Sequence, residues 1–193
     1  MRTPSLIAAC AAAVLALAVP GAAQTPTDPA GEFLEGVRTY VALHRALEQT
    51  VPPQSVFSDP VLGRMAVDPL AQALRAARPN AREGDIFSPR IREDFRRRIS
   101  RALRAAGLEP RTLVEEMIED TEGGAFPVAV NGPFPWLAGN MMLPCVLSAL
   151  PTLPTELEYR LVGTDLVLVD IHPSLVVDVL RDVLPATTRT RRD

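Results

Sequence analysis

The chain contains no lysine: all twenty of its basic residues are arginine. That absence excludes Schiff-base catalysis and a phosphate loop built on lysine. Cysteine and histidine are almost as scarce, at two each in 193 residues. Two cysteines exclude a disulfide-stapled scaffold and a cysteine-ligated metal cluster, and two histidines exclude a three-histidine zinc site. No G-x-S-x-G nucleophile elbow and no EF-hand loop occurs in the sequence. The net charge of -3 argues against a protein that coats nucleic acid. No recognisable nucleophile, metal or cofactor set emerges, so no cofactor is expected. What remains is a length and an apolar content of 47% that suit one ordinary globular domain.

The first segment reads as an address. Arg2 is followed by an apolar run from Leu6 to Val19, then Pro20 and the small residues Gly21, Ala22 and Ala23. This is the pattern of a secretory signal peptide over residues 1–23, cleaved after Ala23. As a helix the run would measure about 21 Å at ~1.5 Å per residue, short of a ~30 Å hydrocarbon core. No transmembrane anchor is therefore expected after cleavage. Cys10 sits in a lipobox-like context, but most of the apolar region follows it rather than preceding it, which disfavours lipidation. The expected location is the bacterial periplasm or exterior. Cleavage leaves Cys145 without an intramolecular partner, and its apolar neighbours suit an inert thiol.

The exported chain divides into a flexible leader, 24–31, one α+β domain, 32–185, and a disordered tail, 186–193. Apolar residues at three- and four-residue steps predict a helix from Glu32 to Thr50, with His44 on its apolar face. Further helices are expected over Pro69–Arg78, Pro89–Ala106 and Pro110–Asp120, each opened by a proline at the first helical position. Ser88 is the expected cap of the third, and Gly107 its left-handed stop. Phe126–Val130 suggests a short strand, and Pro144–Leu150 a helical turn or two. Alternation over Leu157–Leu161, then Gly163-Thr164, then Asp165–Ile171, predicts a hairpin pairing Tyr159 with Leu168 and Leu161 with Leu166. A final helix is expected from Pro173 to Leu184. The predicted architecture is α+β: about five helices on a small antiparallel sheet that contains a C-terminal β-hairpin.

Charge is unevenly placed. Pro89–Ala106 holds seven arginines against Glu93 and Asp94, a net +5, whereas Leu108–Thr188 nets -9. Arg96, Arg97, Arg101 and Arg104 are candidates to meet an anionic surface or an envelope protein. Glu115, Glu116, Glu119 and Glu122 are their alternative, internal partners. The long loop from Asn131 carries Phe134 and Trp136, candidate partner- or ligand-binding residues. Asp170 and His172, at a strand end, are the catalytic candidates, as a carboxylate-oriented general base.

The segment LEYRLVGTDLVLVDIHPSLVVDVL, with the upstream GDIFSP and FRRRI, resembles a family of uncharacterised secreted bacterial proteins over most of residues 30 to 185. No activity is attached to that family, so the resemblance carries over no functional residue. The leading expectation is an exported, non-enzymatic binding or interaction module of the cell envelope. The alternative is a small periplasmic hydrolase using carboxylates or the Asp170/His172 pair.

Overall fold

The computed structural model describes residues 28–52, 68–119, 127–136 and 142–184. The expected signal peptide, Glu122 and the tail from Pro185 lie outside the described residues. The domain is α+β: among the described residues, five helices are followed by a three-stranded antiparallel sheet in the order β1-β2-β3. The helices are α1 (Pro29–Glu48), α2 (Pro69–Ala77), α3 (Pro89–Ala105), α4 (Pro110–Glu119) and α5 (Pro144–Ala149). The strands are β1 (Leu157–Val162), β2 (Asp165–Asp170) and β3 (Leu175–Leu180).

Every described helix opens on proline, whose fixed φ suits the first helical position and whose missing N–H would have no partner there. Helix α1 begins at Pro29, so its start lies inside the predicted flexible leader; the amide of Glu32 already donates to the Asp28 carbonyl at 2.9 Å. At α2 the Asp68 side chain caps, its Oδ1 accepting from the amides of Leu70 (2.7 Å) and Ala71 (3.1 Å). At α3 the expected capping residue Ser88 makes no side-chain cap; its hydroxyl donates instead to Glu32 Oε1 of α1 at 2.6 Å.

The apolar stripes predicted for α1, α2 and α3 meet in one core. Phe33, Phe87, Phe95 and Tyr159 form its aromatic centre, with Phe33 and Phe95 centroids 4.9 Å apart. The hairpin register places Tyr159 opposite Leu168 and Leu161 opposite Leu166, as the alternation requires. These four residues face the helices and are buried. Gly163 supplies φ +58 in the turn, a conformation that costs glycine nothing.

The predicted last helix is a strand. Leu175–Leu180 forms β3, buried along its whole length. Leu175, Val177 and Leu180 join the helical core, while Val176 and Val179 pack on the opposite face with Val128, Phe134, Val167 and Val169. A run apolar on both sides gives no clean period, so the sequence reads equally as a buried helix; the valines, stiff at Cβ, favour the strand once both faces are covered. A bulge between Leu168 and Val169 leaves Val177 as an extra residue. Its carbonyl accepts from Arg78 at 3.1 Å.

The predicted strand Phe126–Val130 is not one; residues 127–130 carry no strand. The chain runs beside β3 slightly later, where Asn131 and Phe134 donate to the Val176 and Ser174 carbonyls and Pro133 bridges Leu175. Asn131 holds this bend at φ 62. Asp178, fully buried on β3, accepts from the amides of Gly84, Ile86, Phe87 and Val179 at 2.7–2.8 Å. It thereby fastens the loop before α3 to the sheet. Asp85, in the same loop, serves Arg82 nearby instead.

Candidate functional site

The last turn of α1, the start of α2 and the end of β2 converge at one corner of the domain. His44 and Glu48 are four residues apart in α1 and so lie on one face of the helix. His44 continues the stripe of Tyr40 and is 1% exposed. Asp170, the last residue of β2, lies beneath both and is fully buried. His172 follows in the turn Ile171–Ser174, which closes with Ser174 at φ 50.

A buried carboxylate needs donors, and Asp170 has two. The Tyr40 hydroxyl donates to its Oδ2 at 2.7 Å, and His44 Nδ1 lies 2.6 Å from the same atom. Burial pushes the Asp170 carboxyl above its usual value; the bonds from Tyr40 and His44 act in the opposite sense. Burial, reinforced by Asp170, also raises Tyr40, which stays a phenol and a donor. An ionised carboxylate only accepts, so Nδ1–H is the donor of this pair, and Nε2 is the ring nitrogen turned toward Glu48. Glu48 Oε2 is 3.7 Å from that Nε2, and its Oε1 is 3.0 Å from His172 Nδ1. The two imidazole rings are 6.4 Å apart.

The cluster opens onto a cleft of about 460 Å³ lined by Glu48, Val51, Pro52, Asp68, Pro69, Leu70 and His172. No arginine is among these residues. Asp68 uses Oδ1 to cap α2, but its Oδ2 is buried without a hydrogen-bond partner among the described residues, as is Oδ1 of Asp170. A buried acceptor left unpaired costs about 1–3 kcal/mol.

The sequence candidates thus fall into separate groups. Asp170 and His172 share the cluster but bond to different partners, Asp170 to His44 and Tyr40, His172 to Glu48. His44 does have the satisfied, buried place expected of a core histidine, and also a ring nitrogen turned toward Glu48. Glu48 and Asp68 carried no sequence signal beyond being acidic, because their neighbours in the cleft come from distant segments.

The other two candidate surfaces are partly spent on the fold. Arg97 pairs with Glu93 and Asp94 of its own helix, and Arg96 donates to the Arg181 carbonyl. Arg101 and Arg104 are exposed. Phe134 is buried under the sheet; Trp136 is 42% exposed, its indole N–H donating to Ser174 and Arg160 lying 5.3 Å above its ring. Beside Arg160 a second, largely apolar cleft of about 590 Å³ runs between β1 and the α5 region. No described helix is long and apolar enough to cross a membrane.

Compared with protein-family models, curated proteins and solved structures, the chain matches none.

Proposed function

We propose that this is an exported bacterial protein of the cell envelope that acts as a binding module, taking a small cationic ligand in the cleft between α1, α2 and the β2–β3 turn. Export rests on the signal-peptide pattern of residues 1–23. The observation that carries the ligand reading is the Asp68 carboxylate: one oxygen holds the helix, while the other is buried with no partner among the described residues, and Asp68 lines a cleft that also receives Glu48. A cation would satisfy that oxygen. The cleft falls in the roughly 300–1,000 Å³ range of small-molecule sites. Its acidic lining raises the local concentration of cations and repels anions.

The test is a thermal-shift screen of the purified protein against divalent metal ions, polyamines and guanidinium compounds, repeated with Glu48→Gln and Asp68→Asn. The expected result is a rise in Tm with at least one cation, reduced in both variants. No cation raising the Tm, or equal shifts in wild type and variants, would refute the reading.

A second reading, the small hydrolase, rests on His172, whose ring is held by the Glu48 carboxylate at 3.0 Å at the edge of the same cleft, an arrangement suited to a general base. Turnover of a chromogenic ester that His172→Ala abolishes would support it.

A further inference from the structure

We infer that His44, Glu48 and His172 form a binding site for a first-row transition-metal ion of the zinc class, with Asp170 as the carboxylate that orients His44. The inference deepens the cleft reading above and rests on it. One ligand atom from each of the three residues can be chosen so that all lie within 4.8 Å of one another. Ligand atoms around a tetrahedral zinc stand about 3.4 Å apart, given bonds of ~2.0–2.1 Å. His172 Nδ1 lies 3.0 Å from Glu48 Oε1 and His44 Nε2 3.7 Å from Glu48 Oε2, so each imidazole already stands near that spacing from one carboxylate oxygen. Glu48 and His172 are both about half exposed, so small side-chain rotations complete the set without moving the backbone.

Three features favour a metal over an ordinary surface ion pair. Two imidazoles and one carboxylate are nitrogen-rich donors, suited to zinc, cobalt, nickel or copper rather than calcium or magnesium. His44 is preset: the Asp170 carboxylate lies 2.6 Å from its Nδ1 and orients the ring with Nε2 toward Glu48, the carboxylate–histidine arrangement that accompanies zinc ligands. Asp170 is in turn held by Tyr40, so the support reaches the core. Finally, three protein ligands leave a coordination position open, and this one faces a cleft. A structural zinc site is normally closed by a fourth protein ligand. The open position points to an ion that is itself transported or that holds a further small ligand in the cleft.

The experiment is titration of the metal-stripped purified protein with Zn²⁺ by calorimetry, and with Co²⁺ by visible absorption. Expected are one equivalent of Zn²⁺ per chain and a Co²⁺ spectrum of low-coordinate nitrogen and oxygen ligands. Glu48→Gln and His172→Ala, both at exposed positions, should each weaken binding at least tenfold with unchanged circular dichroism. Asp170→Asn, which touches no metal, should weaken it by about 10–100-fold, as loss of such an orienting partner does. Mg²⁺ should not compete. Zinc binding that survives the Glu48→Gln/His172→Ala double variant overturns the site. Stabilisation by an organic cation with no zinc binding overturns the metal but leaves the cleft reading standing; no cation binding at all overturns both.

Discussion

His44 Nδ1 and Asp170 Oδ2 lie 2.6 Å apart in the interior, although 126 positions separate them in the chain. That single contact joins the last turn of α1 to the end of β2. It gives a buried imidazole its partner and a buried carboxylate one of its two donors.

Asp170→Asn therefore tests the fold as well as the site. The amide keeps the shape but loses the charge that strengthens the bonds from Tyr40 and His44. We expect a loss of about 2 kcal/mol, in line with hydrogen bonds to charged groups. The readout is a lower urea midpoint with an unchanged slope. An unaltered midpoint would show that the two bonds contribute nothing to stability.

Asp178→Ala should be more damaging. Four amides converge on this carboxylate, from Gly84, Ile86, Phe87 and Val179. Alanine leaves them without an acceptor, three of them on the loop that introduces α3. The expected cost is about 3 kcal/mol or more, since each buried donor left unpaired costs about 1–3 kcal/mol. Faster exchange of the Ile86 and Phe87 amides, compared by NMR, would locate the damage; unchanged protection there would contradict the role assigned to Asp178.

Gly163→Ala isolates backbone strain. A Cβ at this position meets nothing within 4 Å, so only φ +58 opposes it. The cost should be about 1–2 kcal/mol, and Gly163→Asn should lose less. Equal stability of all three proteins in denaturant would rule out the left-handed turn.

Glu156 gives a pH-dependent prediction away from the site. The hydrogen bond from Arg45 holds its carboxyl below the usual value, a lowering that outweighs partial burial. A depressed folded-state value means that the pair contributes stability above the ordinary carboxylate range. That contribution is lost as the pH falls through the depressed value. In an NMR titration the Glu156 carboxyl should titrate at lower pH than in Arg45→Gln. Identical curves would show that the ion pair does not hold in solution.

The hairpin was legible because its information is local. Alternation in Leu157–Leu161, a glycine at the turn and the return of apolar residues at Leu166 and Leu168 specify the register, and the strands follow it. Helices α1, α2 and α3 were legible for a similar reason, their stripes and opening prolines lying within single segments. Leu175–Leu180 defeated the same reading. Its apolar run has no polar side to reveal a period, and it became a strand because a valine cluster under Phe134 covers its second face.

The sequence alone determined the helical stripes, the hairpin register and the scarcity of chemically active residue types. Tertiary structure decided which scarce residues meet. His44, Glu48, Asp68, Asp170 and His172 come from three separate segments, and no spacing announces their meeting. Their proximity follows from how α1 and α2 pack against the sheet. Hydrophobic periodicity records the face a segment turns inward, whereas a polar cluster depends on where several such faces end.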